Sequence, residues 1–179
     1  MRPILAAILL FALAACGEVH RDTSVSIEPV ETVDLDRYAG RWYEIARYPN
    51  WFEEGCVGVT ADYALRDDSR IDVTNTCRRG TLDGEVDSAQ GIARVVEGGA
   101  LEVTFTPWLI FVWGDYWIIH LEPDYSLAVI GSPSGRTGWI LARDPQPDPD
   151  ALARGQAALE AAGYSLDGLE YPAQFAAPL

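Results

Sequence analysis

The stretch Leu35-Asp36-Arg37-Tyr38-Ala39-Gly40-Arg41-Trp42-Tyr43-Glu44-Ile45-Ala46-Arg47 decides how the rest of the chain is read. Gly40 lets the backbone turn where a side chain would obstruct it. Trp42 then opens a strand-like run with a large apolar surface and one N–H that needs a partner when buried. A Gly-x-Trp triplet by itself describes any strand that begins with a core tryptophan. The longer string, with Leu-Asp-Arg-Tyr upstream and Glu-Ile-Ala-Arg downstream, is far more specific.

Downstream of Gly40 the chain is dominated by short β-like runs separated by turn residues. Eight are expected: Arg41–Tyr48, Val57–Leu65, Ile71–Arg78, Glu85–Val96, Leu101–Thr106, Asp115–Leu121, Ser126–Gly131 and Gly138–Arg143. Regular short strands with tight turns indicate an antiparallel sandwich or barrel. Gly98-Gly99 suits a hairpin turn between the fourth and fifth runs. The pattern then changes: Asp148-Pro149 offers a helix N-cap and a first-turn proline, followed by Ala151 to Ala162 and a closing Gly163. Leu152 and Leu159 lie seven apart on one face of that helix. A last short strand is expected around Leu169–Tyr171.

The opening string closely resembles the first motif of the lipocalins, particularly the bacterial outer-membrane lipoprotein members. Two further segments carry the resemblance. Glu122-Pro123-Asp124-Tyr125 is similar to the second motif through Asp124 and Tyr125, with Pro123 where threonine is usual. Trp139-Ile140-Leu141-Ala142-Arg143 resembles the third. The resemblance runs from Leu35 to Tyr171 and implies an all-β fold with one C-terminal helix, an eight-stranded antiparallel up-and-down β-barrel that encloses one small ligand. It also implies that Arg143 lies across Trp42 at the closed end, a contact worth about 0.5–2 kcal/mol. Gly40, Trp42, Asp124, Tyr125 and Arg143 are thus expected to close the barrel, not to work in it.

Upstream, Arg2 is followed by twelve apolar residues, Ile4 to Ala15, and then by Cys16. A membrane-spanning helix needs roughly 20, so this run reads as the core of a signal peptide. Leu13-Ala14-Ala15-Cys16 resembles the lipobox of bacterial lipoproteins, which implies acylation of Cys16 and, with Gly17 following, delivery to the outer membrane of a Gram-negative envelope. The expected organisation is a signal peptide over 1–15, a lipidated N-terminus and tether over 16–33, and a barrel domain over 34–179. Glu18 to Val33 is polar and aperiodic, and a tether of that length reaches about 55–60 Å when extended. It therefore leaves the barrel's orientation open.

The formal net charge is −14 and every basic residue is arginine. Such a chain repels nucleic acid, and no basic stripe offsets the field. In an exported protein a pair of cysteines reads as a disulfide before a metal site. Cys56 and Cys77 flank two strand-like runs joined at Arg66-Asp67-Asp68-Ser69-Arg70, so a hairpin brings them together. The alternative for either is a reactive thiol.

Function in such a barrel belongs inside the calyx and around its mouth, where the loops after strands one, three, five and seven gather. The first holds Pro49-Asn50-Trp51-Phe52 and the third holds Pro107-Trp108-Leu109-Ile110-Phe111-Val112-Trp113. Loops are normally polar, so this apolar concentration is unusual. Three readings stand: strand extensions packed as core, a greasy rim through which lipid passes, or a contact surface for the bilayer or another subunit. Candidate ligand contacts are Tyr48, Trp51, Phe52, Tyr63, Trp108, Trp113, Tyr116 and Trp117. Arg47, Arg78, Arg79, Arg94 and Arg136 lie near strand ends, where one could offset an anionic headgroup. His120 reads as a structural, hydrogen-bonded histidine, and Glu44 shares the strand phase of Trp42. No catalytic constellation, metal-ligand spacing or cofactor fingerprint is found.

The resemblance implies binding without turnover: a fatty acid, a lysophospholipid or a similar hydrophobic small molecule is the expected partner, with the membrane engaged through the anchor and a homodimer possible. One alternative is an isomerase or de-epoxidase, which needs a reactive thiol or a paired acid in the calyx. Another is a structural envelope lipoprotein with a filled barrel, distinguished by a cavity under ~300 Å³.

Overall fold

The structure, a computed structural model, describes residues 18–109 and 112–176. The expected signal peptide and Cys16 lie outside the described residues, as do Ile110 and Phe111 of the third mouth loop. A short helix, α1 (Leu35–Tyr38), leads into eight strands: β1 (Gly40–Arg47), β2 (Cys56–Leu65), β3 (Ile71–Arg79), β4 (Val86–Glu97), β5 (Ala100–Thr104), β6 (Gly114–Leu121), β7 (Leu127–Gly131) and β8 (Trp139–Ala142). They form a closed antiparallel barrel in sequence order. Pairing of β8 with β1, from Tyr43 opposite Ala142 to Arg47 opposite Trp139, completes the ring. The eight expected runs are all present, with ends displaced by at most two residues. The ninth shrinks to a single bridge between Glu170 and Arg47.

Two apolar layers follow from the alternation of strand side chains. Inside, Trp42, Tyr63, Val73, Leu101, Ile118, Ile130 and Leu141 pack with Tyr38. Outside, Ala46, Leu127, Val129, Ile140 and Ala142 pack beneath Leu159 of α2 (Pro149–Ala161). This explains why β7 reads Leu-Ala-Val-Ile-Gly without a polar residue: it is buried throughout, with calyx on one face and helix on the other. The helix begins as its sequence indicates, with the Asp148 carboxylate accepting from the N–H groups of Asp150 and Ala151. Gly155 permits close approach, since a Cβ there would sit 3.2 Å from Leu127. At the β4–β5 turn, Gly98 has φ +52° and lies under the Glu31 carbonyl, 2.5 Å from where a Cβ would be.

The segment expected to be a tether is not free. From residue 20 onward it is a strap docked along the outside of the barrel. His20 donates its N–H to the Gly135 carbonyl at 2.8 Å, and Asp22 donates to Gly163 at 2.8 Å. Arg21 is buried: its Nε donates to Ala162 O at 3.0 Å and its Nη1 to Pro133 O at 2.8 Å. Farther along, Val30 donates to Ile118 O at 2.8 Å and accepts from Gly99 N at 2.8 Å. Polar composition hides this docking because the bonds are mostly to backbone groups.

Cys56 and Cys77 are disulfide-bonded with Cα atoms 5.5 Å apart, 21 positions apart in sequence. Replacing both by serine is expected to lower the unfolding free energy by about 3 kcal/mol in the loop-entropy model. Urea unfolding checks this; an unchanged midpoint would show that the bond stabilises nothing.

Candidate functional site

The closed end is assembled from the three motif segments. Gly40 has φ +90°, and a Cβ there would lie 3.4 Å from Arg143 Nη1. The Arg143 guanidinium lies 4.0 Å over the Trp42 ring. It donates to the carbonyls of Arg41, Arg37, Tyr38 and Ala39 at 2.7–3.0 Å. Trp42 Nε1 finds its partner in Tyr38 O at 2.8 Å. Tyr125 Oη accepts from Asp34 N at 2.8 Å, its ring lies under Arg37, and Asp124 accepts from Ser126 N at 3.0 Å.

Above the cap three phenols form the floor of the calyx. Tyr116 Oη lies 2.8 Å from both Tyr38 Oη and Tyr63 Oη. Burial pushes all three hydroxyls above the usual phenol range, so they stay protonated and hydrogen-bonded. Over this floor opens a slot lined by Val59, Ala61, Val73, Leu101, Val103 and Phe105, with Phe52 and Trp139 toward the mouth. Its volume is about 100 Å³. That is under the ~300 Å³ of an ordinary ligand pocket.

The polar groups of the slot are Glu44, Glu53 and Asn75. Glu53 is drawn in by its own turn: Asn50 Oδ1 accepts from Glu53 N at 2.9 Å, and the Glu53 carboxylate accepts a hydrogen bond from Trp139 Nε1 at 3.1 Å. Asn75 Oδ1 is buried with no hydrogen-bond partner among the described residues. Glu44 Oε1 accepts from Arg47 Nη1 at 2.9 Å, both side chains being buried. Desolvation, and then the Glu53 charge, raise the Glu44 carboxyl well above its ordinary 4.5.

The native state therefore holds a proton on Glu44 that the unfolded chain has already released. In the interval between the two pKa values, stability falls as pH rises, and the whole penalty is present above the folded value. Glu44→Gln removes this dependence. The stability of the variant relative to wild type is expected to rise from about pH 4.5 upward, whatever its offset. Urea unfolding from about pH 4 to about pH 8 measures it, and a flat difference would refute it.

Of the eight expected ligand contacts, Phe52, Tyr63 and Tyr116 line the slot. Trp51 and Trp108 stand on the rim, 87% and 74% exposed. Trp113 lies beneath the Arg94 guanidinium at 4.3 Å. Trp117 follows Tyr116 by one residue and so takes the opposite face of β6. Tyr48 lies outside the calyx: it is fully buried, stacked between His20 at 4.8 Å and Tyr164 at 5.1 Å. The strap and the segment after α2 cover it, an environment that strand alternation alone does not reveal.

None of the five candidate arginines lines the slot. Arg47 holds Glu44 and the Cys56 carbonyl, Arg78 holds Gly84 O, Arg79 pairs with Asp87, and Arg94 pairs with Glu102. His120 is structural, 3.3 Å from the Glu122 carboxylate, which also accepts from Arg154. Nothing in their composition singles out the wall residues Val59, Ala61, Val73, Leu101 and Val103. Their signal was the two-residue period that places Val59, Ala61 and Tyr63 on one face.

A closed eight-stranded barrel with a capped floor and an apolar mouth is a ligand-binding calyx in architecture. A family model described as a lipocalin-like domain matches residues 33–174. Temperature-induced lipocalin-1 of Arabidopsis thaliana is 34% identical over 161 residues, covering 85% of each chain. Outer membrane lipoprotein Blc of Vibrio cholerae is 38% identical over 127 residues, covering 67% of this chain and 70% of that one. Among solved structures, the cockroach allergen Per a 4 superposes with a TM-score of 0.65 at 20% identity, over 86% of this chain and 97% of that one. The chain belongs to the lipocalin family, whose members bind small hydrophobic ligands.

Proposed function

We propose that this lipocalin is an outer-membrane lipoprotein, anchored through acylated Cys16, that binds single-chain amphiphiles such as fatty acids or lysophospholipids. The observation that carries the ligand class is the slot, whose walls are apolar and which reaches Phe52 and Trp139 toward the mouth. Glu44 and Glu53 line it and no arginine does, so an anionic headgroup is repelled from the interior and stays at the mouth while the acyl chain enters. The anchor is supported by the Leu13-Ala14-Ala15-Cys16 sequence and by the similarity to a protein named as an outer membrane lipoprotein.

Native mass spectrometry of protein taken from membranes is expected to show a bound amphiphile, and the emptied protein to bind a fluorescent fatty acid. An empty barrel that also fails to bind the probe would overturn the ligand reading. It would favour instead a structural lipoprotein with a filled barrel, the reading to which the small slot volume points. A palmitate analogue is expected to label the wild type and not Cys16→Ser; equal labelling would sink the anchor. Turnover of the isomerase kind lacks its thiol, because Cys56 and Cys77 are bonded to each other. Glu44 and Glu53 supply the paired acid that such an enzyme could use. Both carboxylates are already engaged, with Arg47 and with Trp139.

A further inference from the structure

The docked strap limits how far the barrel can stand from an anchor at Cys16. Its start is fixed beside the mouth: His20 donates to Gly135 of the β7–β8 loop, and Arg21 donates to Pro133 of the same loop. His20 is itself buried, stacked on Tyr48. Gly17, Glu18 and Val19 alone separate Cys16 from His20. The reach between those two is then at most about 14 Å. The barrel is longer: the eight residues of β1, at about 3.3 Å each and tilted by about 40°, run about 20 Å along the axis. An acylated Cys16 therefore holds the mouth end near the bilayer and leaves the closed end too far away to face it.

The mouth has a surface suited to that position. Around the ring the β7–β8 loop lies between the β5–β6 and β1–β2 loops. Those two are the apolar ones. Trp51, Phe52, Trp108, Leu109 and Val112 are all exposed there, although large apolar side chains seldom gather on a wet surface. The remaining loop, β3–β4, presents Thr81, Asp83 and Glu85 to solvent instead. The leash thus emerges between the two greasy loops. Tryptophan favours the headgroup level of a bilayer, where its ring is apolar and its N–H meets water.

We infer that the rim formed by Trp51, Phe52, Trp108, Leu109 and Val112 docks on the bilayer that holds the Cys16 anchor, so that the calyx opens directly onto the lipid surface. The inference rests on the acylation of Cys16 proposed above. It places the slot where a single-chain amphiphile can pass between leaflet and barrel without crossing water. The contact is apolar, so added salt leaves it in place.

The test uses the full mature lipoprotein, purified from membranes and reconstituted into phosphatidylcholine–phosphatidylethanolamine vesicles with or without brominated acyl chains. Bromolipid is expected to quench the tryptophan fluorescence of the wild type. Trp51→Phe/Trp108→Phe should lose about half of that quenching or more, with or without added salt. Both side chains are exposed, so the thermal midpoint should not move. Protein that floats with the vesicles but is quenched equally in both forms would overturn the inference and leave the anchor standing. Protein that does not float, and whose mass shows no acyl groups, would overturn both. A dimer of Cys16→Ser protein that Trp51→Phe/Trp108→Phe dissociates would also overturn it, by showing that a second copy covers the rim.

Discussion

Trp42→Ala is expected to lower the unfolding free energy by about 3–5 kcal/mol, the range for truncating a large buried aromatic. Trp42 has no exposed surface, lies under the Arg143 guanidinium and packs against Tyr38 at 4.9 Å between ring centroids. Its removal opens a void that the barrel cannot collapse to fill, because strands on all sides are held by their neighbours. Arg143 remains bonded to four carbonyls, so the loss is chiefly one of packing. Trp42→Phe should cost less, since it keeps much of the volume and gives up only the bond to Tyr38 O. Urea unfolding measures both variants. Affinity per folded molecule for a fluorescent fatty acid should not change, because the phenol floor separates Trp42 from the slot. Arg143→Ala is the companion test, and full thermal stability in that variant would refute the packing role.

Arg47→Ala is expected to cost a similar amount, about 3–5 kcal/mol, at a pH above the raised Glu44 pKa, where it strands a buried carboxylate. Glu44 is 3% exposed and already burdened by desolvation and by the Glu53 charge. Without Arg47 Nη1 it keeps no cation within its reach. The deficit should narrow on acidification as Glu44 takes up a proton. A deficit independent of pH would mean that Arg47 acts only through its bonds to Cys56 O and Glu170. Replacing both members, as Glu44→Leu with Arg47→Met, should recover part of the stability, since an apolar pair of similar volume avoids the cost of burying charge.

Much of the fold was legible in the sequence because its determinants are local. Strand alternation, the Gly98-Gly99 turn and the Asp148-Pro149 cap each act within a few residues, and each appears where the sequence places it. Trp42 and Arg143 were legible as partners only through the family motifs, being 101 positions apart. The site was legible less well. Phe52, Tyr63 and Tyr116 stand out in the sequence as large aromatics and were expected near the mouth; only Phe52 is there, Tyr63 and Tyr116 forming the floor, and the small wall residues Ala61 and Ala93 carry no compositional signal. Glu53 carries no such signal because its place in the slot depends on an Asn50 turn and on Trp139, a donor on the neighbouring strand β8 but 86 positions away in sequence.

By itself the sequence determined the class of the barrel, the number and order of its strands, the capping helix and the closing motif. The strands, their turns and the helix rest on spacing, turn geometry and chain-local hydrogen bonding, whereas the barrel class and the closing motif came through the lipocalin resemblance. Only the tertiary structure decided which aromatics face inward. Ring closure sets the phase of each strand, so Tyr116 joins the floor, Trp117 points out, and Tyr48 is claimed by His20 and Tyr164. It also decided that the polar N-terminal segment is a strap. Bonds such as Arg21 Nε to Ala162 O join residues 141 positions apart, and no local pattern records them. Those same bonds hold residue 20 at the mouth end, so a segment with the reach to cross the whole barrel is instead docked along it.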